Sequence, residues 1–388
     1  MRVVIKPEML VWTRERAGLE SAELVKKFSQ YEKWESGELF PTLKQLENLA
    51  NRVHAPIGYF FLSEPLKESI SIPDFRTINH SSLTHPSLDV RDTILSCQQR
   101  QEWYRNFAQQ SEKIPPAFVQ TADLTSDPKK VANDMHRIIQ FDLETRRRFR
   151  TWTEALGHFM AIIEDAGVLV MVNGVVGNNT RRKLKRKEFQ GFAMADKIAP
   201  LIFVNGADYK AAQMFTLAHE LAHLWLGQSA LSSSRMDITK QAQEEAAETS
   251  QGQQVEIWCD KVAAEFLVPL SLLNQEYDAN NDVLPESNRL ARHFKVSTLV
   301  ILRRLYENQS INTETYWQNY NLLKEEYEGA RKTPGGDFYR TQIRRISKPF
   351  VRSVISSTLE GKTLYRDAFS LLGVSTIKHF REMAKKIS

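Results

Sequence analysis

Cysteine is scarce in this chain. Cys97 and Cys259 are its 2 cysteines in 388 residues, far apart and in no Cys-x-x-Cys pair. That excludes a disulfide-stapled secreted fold and argues against a cysteine-ligated zinc, and it points to a reducing, cytoplasmic setting. Long apolar runs are missing as well. No stretch of 18 apolar residues occurs, and the opening MRVVIKPEML lacks the apolar core of a signal peptide, so neither a membrane partner nor secretion is expected. There is no internal repeat. Neither sign of charge dominates: 52 Lys+Arg stand against 47 Asp+Glu, a net charge of +5. Such a balance permits nucleic-acid contact without demanding it. The remaining composition, 42% hydrophobic and 26% charged, suits a soluble chain long enough for two or three domains with at least one sizeable core.

The most informative stretch is FTLAHELAHLWLG, which holds His219, Glu220 and His223. Histidines four apart project from one face of a helix, one turn above the other. That spacing lets two imidazoles share one tetrahedral Zn²⁺, with Glu220 beside it as a general base for water. Phe215, Leu217, Ala218, Leu221, Ala222, Leu224, Trp225 and Leu226 make the helix a buried one. Asp208 can cap its start and Gly227 can end it. Burying unpaired polar groups costs of order 2–7 kcal/mol each, and a metal removes that cost. The bland alternative is a pair of core histidines bonded to carbonyls.

A second apolar-periodic helix is expected over residues 255–269, VEIWCDKVAAEFLVP, stopped by Pro269. Glu256 and Asp260 stand four apart on it and share a face. A carboxylate from Glu256 completes a His₂Glu site, and Asp260 one turn on can orient a ligating imidazole. Glu265 is the rival third ligand. Exposed or salt-bridged carboxylates are the plain alternatives for these residues.

Residues 1–65 read as a run of short helices: one from Met9 to Ala17 ending at Gly18, a second over SAELVKKF, a third closed by WESG, and a fourth opened by Pro41. The landmarks RERAGL, WESGE, PTLKQLENLA and PIGYFFL resemble, in order, the Xre-type helix-turn-helix family, which implies a recognition helix for the DNA major groove. Only residues 29–33 separate Phe28 from Trp34 here, so that helix is clipped. Ser29, Gln30, Tyr31 and Lys33 remain as the candidate DNA contacts. A helical module kept for protein contact is the alternative.

Residues 66–150 read as a helical connector. Residues 69–87 are Ser/Pro-rich and expected to be extended. Residues 89–110 form an amphipathic helix with Val90, Ile94, Cys97, Trp103 or Tyr104, and Phe107 as its stripe, and another runs from Asp127 or Pro128 to Ile139. The run RRRFR (146–150) is expected to be a solvated basic face.

From residue 151 the pattern becomes α+β. A helix over 151–166 leads into a strand over 168–172, followed by strands over 189–195 and 201–205, the last running into the HELAH helix. Between them, GNNTRRKLKRK (177–187) is expected to be a basic loop, with an acidic partner or nucleic acid as the sharper alternative. Residues 228–255 are polar and read as a loop or lid. Residues 290–306 read as two short helices split at Val296-Ser297, like a second helix-turn-helix, and 335–388 as a helical end piece. Tyr209 and His158 are weak candidates for oxyanion stabilisation.

Taken together, the chain resembles the ImmA/IrrE family of zinc metallo-endopeptidases in its version fused to an N-terminal Xre-type module. HELAH matches directly, and Glu256-x-x-Cys259-Asp260-x-Val262-Ala263-Ala264-x-x-Leu267-Val268-Pro269 is similar to the family's E-x-x-A-N-x-F-A-A-x-x-L-M-P. SIPDFRT, ILSCQQRQEWYR, GGDFYRTQ and TLEGKTLYRDAF also look typical of the fused version. Cys259, Asp260 and Val262 depart from the pattern without removing a ligand. The resemblance implies an α+β, mostly helical chain: helix-turn-helix bundle (1–65), connector (66–150), zincin-like peptidase domain with a small twisted sheet (151–310) and helical C-terminal region (311–388). It implies Zn²⁺ on His219, His223 and Glu256, with Glu220 as base and Asp260 behind the ligands. It further implies cleavage of a partner protein such as a repressor, encoded nearby, that controls a transcription, stress, mobile-element or toxin–antitoxin locus. The alternative is a DNA-binding antitoxin-like regulator that sequesters a toxin.

Overall fold

Side-chain caps set several of the helix starts in this chain. Thr42 and Gln45 close a capping box at one helix, Thr151 and Glu154 at another, and Asp127 and Ser297 accept from backbone N–H groups at two more. The computed structural model describes residues 2–66, 86–232, 251–329 and 338–387, and they form an α+β, mostly helical chain. Two compact units divide it, 1–71 with 83–94, and 72–82 with 95–388.

The first unit holds α1 (Pro7–Arg16), α2 (Ser21–Val25), α3 (Tyr31–Glu35), α4 (Leu43–Arg52) and a 3₁₀ turn at Ile57–Phe61. Met9, Leu10, Leu24, Tyr31, Trp34, Leu46, Leu49 and Phe60 meet in its core. Pro41 lies outside α4, its carbonyl accepting from the Val3 N–H at 2.8 Å, so Thr42 rather than a proline opens that helix. Ser29 and Gln30 before α3 and Lys33 within it are exposed, but Tyr31 is 0% exposed. Its hydroxyl contacts the Leu10 carbonyl and the Glu35 carboxylate, at 3.2 and 2.9 Å. Tyr31 is therefore a core residue and not a DNA contact, because the ring is needed to fill a small core.

Helix α5 (Leu88–Gln110) buries Val90, Ile94, Cys97 and Tyr104, which resolves the Trp103-or-Tyr104 choice in favour of Tyr104. Most of the expected extended stretch 69–87 lies outside the described residues. In the second unit come α6 (Pro128–Ile139), α7 (Leu143–Arg147) and α8 (Trp152–Asp165). Then follow β1 (Leu169–Asn173), β2 (Val175–Val176), β3 (Asn179–Lys183), β4 (Gly191–Met194) and β5 (Leu201–Asn205). α9 (Lys210–Leu226), β6 (Ala230–Ser232) and α10 (Gln251–Leu267) carry the chemistry. The sheet order is β1-β5-β4-β6, with β1 and β5 parallel and β4 antiparallel to both its neighbours. Every residue of β1, β4 and β5 is buried, as expected for strands covered on both faces. α9 packs on β4, β5, α8 and α10.

Four expectations need correcting here. The basic stretch 177–187 is not a plain loop: β3 pairs with β2 in a two-stranded ribbon turned at Gly177, which has φ 54°. The polar stretch 228–255 contains β6 and the first turns of α10; residues 233–250 lie outside the described ones. RRRFR is not a uniformly solvated face, because Arg146 is 0% exposed and donates to the carbonyls of Leu267 and Phe294 at 2.6 and 2.9 Å. These are the C-terminal end of α10 and the last residue of α12, whose carbonyls lack intrahelical partners. Finally, Asp208 does not cap α9; Tyr209 occupies the N-cap, and Asp208 accepts from the Tyr209 N–H and pairs with Arg186 at 3.8 Å.

The chain continues with α11 (Leu270–Glu276), α12 (Val283–Phe294), α13 (Thr298–Glu307) and α14 (Thr313–Gly329). α15 (Phe338–Ile346), α16 (Lys348–Leu359), α17 (Tyr365–Leu372) and α18 (Ile377–Ile387) end it. α12 and α13 are split at Lys295, Val296 and Ser297 as expected, yet Val300, Ile301, Leu302 and Arg304 of α13 are buried. α15 and α16 pack along β1, so the C-terminal helices help enclose the sheet.

Candidate metal centre

α9 buries thirteen of its residues, from Gln213 and Met214 to Leu226, and Gly227 ends it in the left-handed conformation (φ 68°). His219 and His223 therefore sit one turn apart inside the protein, 6% and 0% exposed. α10 crosses against α9 and brings Glu256, 2% exposed, to the same point. The two Nε2 atoms are 3.1 Å apart; Glu256 Oε2 lies 3.4 Å from His219 Nε2 and its Oε1 3.2 Å from His223 Nε2. Ligands about 2.0–2.1 Å from a tetrahedral zinc are ~3.3 Å from one another, so the three spacings match such a set. Among the described residues, His219, His223 and Glu256 are the group that could hold a metal ion.

The polar accounting supports the fit. His219 Nδ1 is 2.9 Å from Asp260 Oδ1, which makes Nδ1 the donor and leaves the Nε2 lone pair facing His223. Two imidazole nitrogens this close need a proton or a cation between them. Glu256 Oε1 lies near His223 but is not aligned for a hydrogen bond, and it has no hydrogen-bond partner among the described residues. A buried, unpaired acceptor aimed at two imidazoles is what a metal would satisfy. Glu265, the rival ligand, is turned away and paired with Arg304.

The titrations describe the same crowding. Burial works against a charged His219, but hydrogen bonds to Asp260 and Glu256 outweigh it and raise its pKa. Burial holds His223 below its ordinary value. Burial also disfavours the Glu256 carboxylate, yet its two imidazole neighbours keep it below the usual range. Glu220 moves the other way: burial pushes it up to about 8, only partly offset by His219. Both Glu220 oxygens are buried without a hydrogen-bond partner among the described residues. A carboxylate kept unpaired beside a metal-ligating set is poised to exchange protons.

Three residues absent from the sequence reading shape the site. Gly191 on β4 makes room for Glu220: a Cβ there would lie 2.8 Å from Glu220 Oε1 and 2.9 Å from the Phe203 carbonyl. A lone glycine in an apolar strand signals such a close approach. Ser232, paired with Gly191 across β4 and β6, sets its Oγ 3.4 Å from His223 Nε2. Arg303 on α13 reaches Asp260 Oδ2 at 3.4 Å and Glu307 at 2.9 Å, extending the chain of contacts behind His219. Nothing local in the sequence distinguishes that arginine. The two oxyanion candidates serve elsewhere. Tyr209 lies under the Arg186 guanidinium at 4.8 Å, and His158 packs on Phe149 and Phe141.

Residues 163–306 match the family model of the IrrE N-terminal-like domain, a metallopeptidase-type family, and this span includes all four residues of the centre. Residues 346–386 match the model of a domain of unknown function, DUF8813. Neither match includes residues 1–65. No curated protein matches the chain. No helix among the described residues is long and apolar enough to cross a membrane.

Proposed function

We propose that this chain is a zinc-dependent endopeptidase that cleaves a partner protein such as a repressor. By doing so it controls a transcription, stress, mobile-element or toxin–antitoxin locus. The observation that carries the reading is the Glu220 carboxyl group, buried without a hydrogen-bond partner among the described residues beside the convergent His219, His223 and Glu256. A purely structural metal site has no use for such a group.

His219, His223 and Glu256 would hold the ion, and Asp260 would fix the His219 ring with Nε2 unprotonated. Zinc in such a set supplies Lewis acidity toward a peptide carbonyl and lowers the pKa of water toward ~7. Glu220 takes the proton from the attacking water on its carboxylate and returns it to the leaving amine. Its burial excludes bulk water from that exchange. DNA contact through residues 1–65 would involve Ser29, Gln30 and Lys33, which are exposed. Three side chains from a clipped turn make a small reading surface, so the toxin-sequestering, DNA-binding regulator is the less supported alternative.

The reading is tested by co-purifying the protein from its native host and identifying bound and cleaved proteins by mass spectrometry. A partner recovered in two fragments, intact once the metal is chelated, supports it. A partner that stays bound and intact whether or not metal is present favours sequestration.

A further inference from the structure

A pocket of about 550 Å³ opens at the end of α12, lined by Arg147, Asn288, Arg289, Arg292, His293 and Lys295 among others. None of these residues belongs to the metal centre. Arg289, Arg292 and His293 are spaced i, i+3, i+4 and so stand on one face of α12. Arg147 comes from α7, and Lys295 follows α12 with φ 56°, a conformation that costs a non-glycine residue energy.

Two carboxylates border the pocket. Glu276 accepts from Arg147 at 2.6 Å, and Glu286 holds Arg289 through two bonds at 2.7 and 2.9 Å. They orient two guanidinium groups without neutralising the set, because four full cations (Arg147, Arg289, Arg292, Lys295) stand against three carboxylates, Glu276, Glu286 and the Asp278 that also acts on Arg289. Among the described residues, Arg292 and Lys295 form no ion pair. Basic side chains in the last turn of a helix favour its dipole, which accounts for Arg292 and His293. Arg147, in the last turn of α7, has the same explanation, and Arg289 is held by Glu286; neither accounts for the ends of two helices bringing all of them to one pocket.

We propose that this pocket binds a compact oligophosphate, of the di- or triphosphate class carried by nucleotides. A guanidinium matches phosphate oxygens bidentately: Arg292 has no carboxylate partner among the described residues, Arg147 and Arg289 offer the N–H groups not already given to Glu276 and Glu286, and Lys295 adds a point charge. The volume falls within the ~300–1,000 Å³ range of small-molecule sites. Glu276 and Glu286 at the border oppose an extended polyanion, so a concave site for a short ligand fits better than a track for a DNA backbone. His293 can adapt to an incoming anion: burial holds it below its ordinary range, and Arg147 and Arg289 add to that against Glu276.

The test is calorimetric titration of the full chain with inorganic pyrophosphate, for wild type and the Arg292→Ala/Lys295→Ala variant, with thermal melts to verify folding. Saturable one-site binding is expected, weakened about tenfold or more in the variant, and further weakened by Arg292→Glu. Absence of binding at millimolar pyrophosphate would overturn the proposal. So would equal binding by the folded variant, which would place the pyrophosphate at the metal centre instead. A short DNA duplex that binds this face and is not displaced by pyrophosphate would also overturn it.

Discussion

His219 and Asp260 lie on different helices, and their side chains meet at 2.9 Å, Nδ1 to Oδ1, inside the protein. This contact fixes the ring that faces the metal position. Removing such a partner typically costs 10–100-fold in metal affinity. Asp260→Ala should therefore weaken zinc binding by about that factor in a chelator competition assay, while Asp260→Asn, which keeps an oxygen acceptor, should lose less.

Metal content separates the two acidic candidates on α10. Alanine at His219, His223 or Glu256 should each reduce zinc from about one ion per chain, as expected for a site with three protein ligands. Glu265→Ala should leave occupancy unchanged, because Glu265 is engaged with Arg304. Elemental analysis of the purified variants reads this directly.

Gly191→Ala should destabilise the protein by about 1–3 kcal/mol, as overpacking does when the neighbour is backbone. The added methyl would meet the Phe203 carbonyl at 2.9 Å, and that strand cannot yield cheaply. A melting temperature lower by several degrees is expected, together with reduced cleavage from the displaced Glu220.

How much of this was legible beforehand follows from the range of the interactions. α9, α10, α6 and α8 could be read because periodicity and caps such as Asp127 and Thr151 act within a few residues. The pairing of His219 with His223 and of Glu256 with Asp260 was legible for the same reason, since helical spacing alone puts each pair on one face. Arg146 was not: its acceptors, Leu267 and Phe294, lie 121 and 148 residues away, and RRRFR holds no local sign of which arginine turns inward. β6 escaped because three residues, Ala230, Leu231 and Ser232, form a strand only by pairing with β4. Tyr31 looked like a groove contact because its position in the turn was readable, whereas its burial depends on the whole helical core.

A pH effect should appear at Glu164, which accepts from Ser347 Oγ at 2.6 Å and the Lys348 N–H at 3.0 Å. Burial raises its pKa from 4.5 to about 7, partly opposed by those bonds. A carboxyl with a raised folded-state pKa gives its full stability below the unfolded value and loses it as pH rises through the folded one. Glu164→Gln should thus gain stability relative to wild type between pH 5 and 8, by about 1–3 kcal/mol, in parallel urea denaturations.

The central claim rests on Glu220, and Glu220→Gln tests it most directly. The change is nearly isosteric and leaves His219, His223 and Glu256 in place, so zinc content should match wild type and the melting temperature should not fall. Loss of a general base costs about 10²–10⁴-fold, so cleavage of the co-purified partner should disappear while binding persists. A Glu220→Gln protein that holds zinc and still cleaves its partner at the wild-type rate would contradict the account.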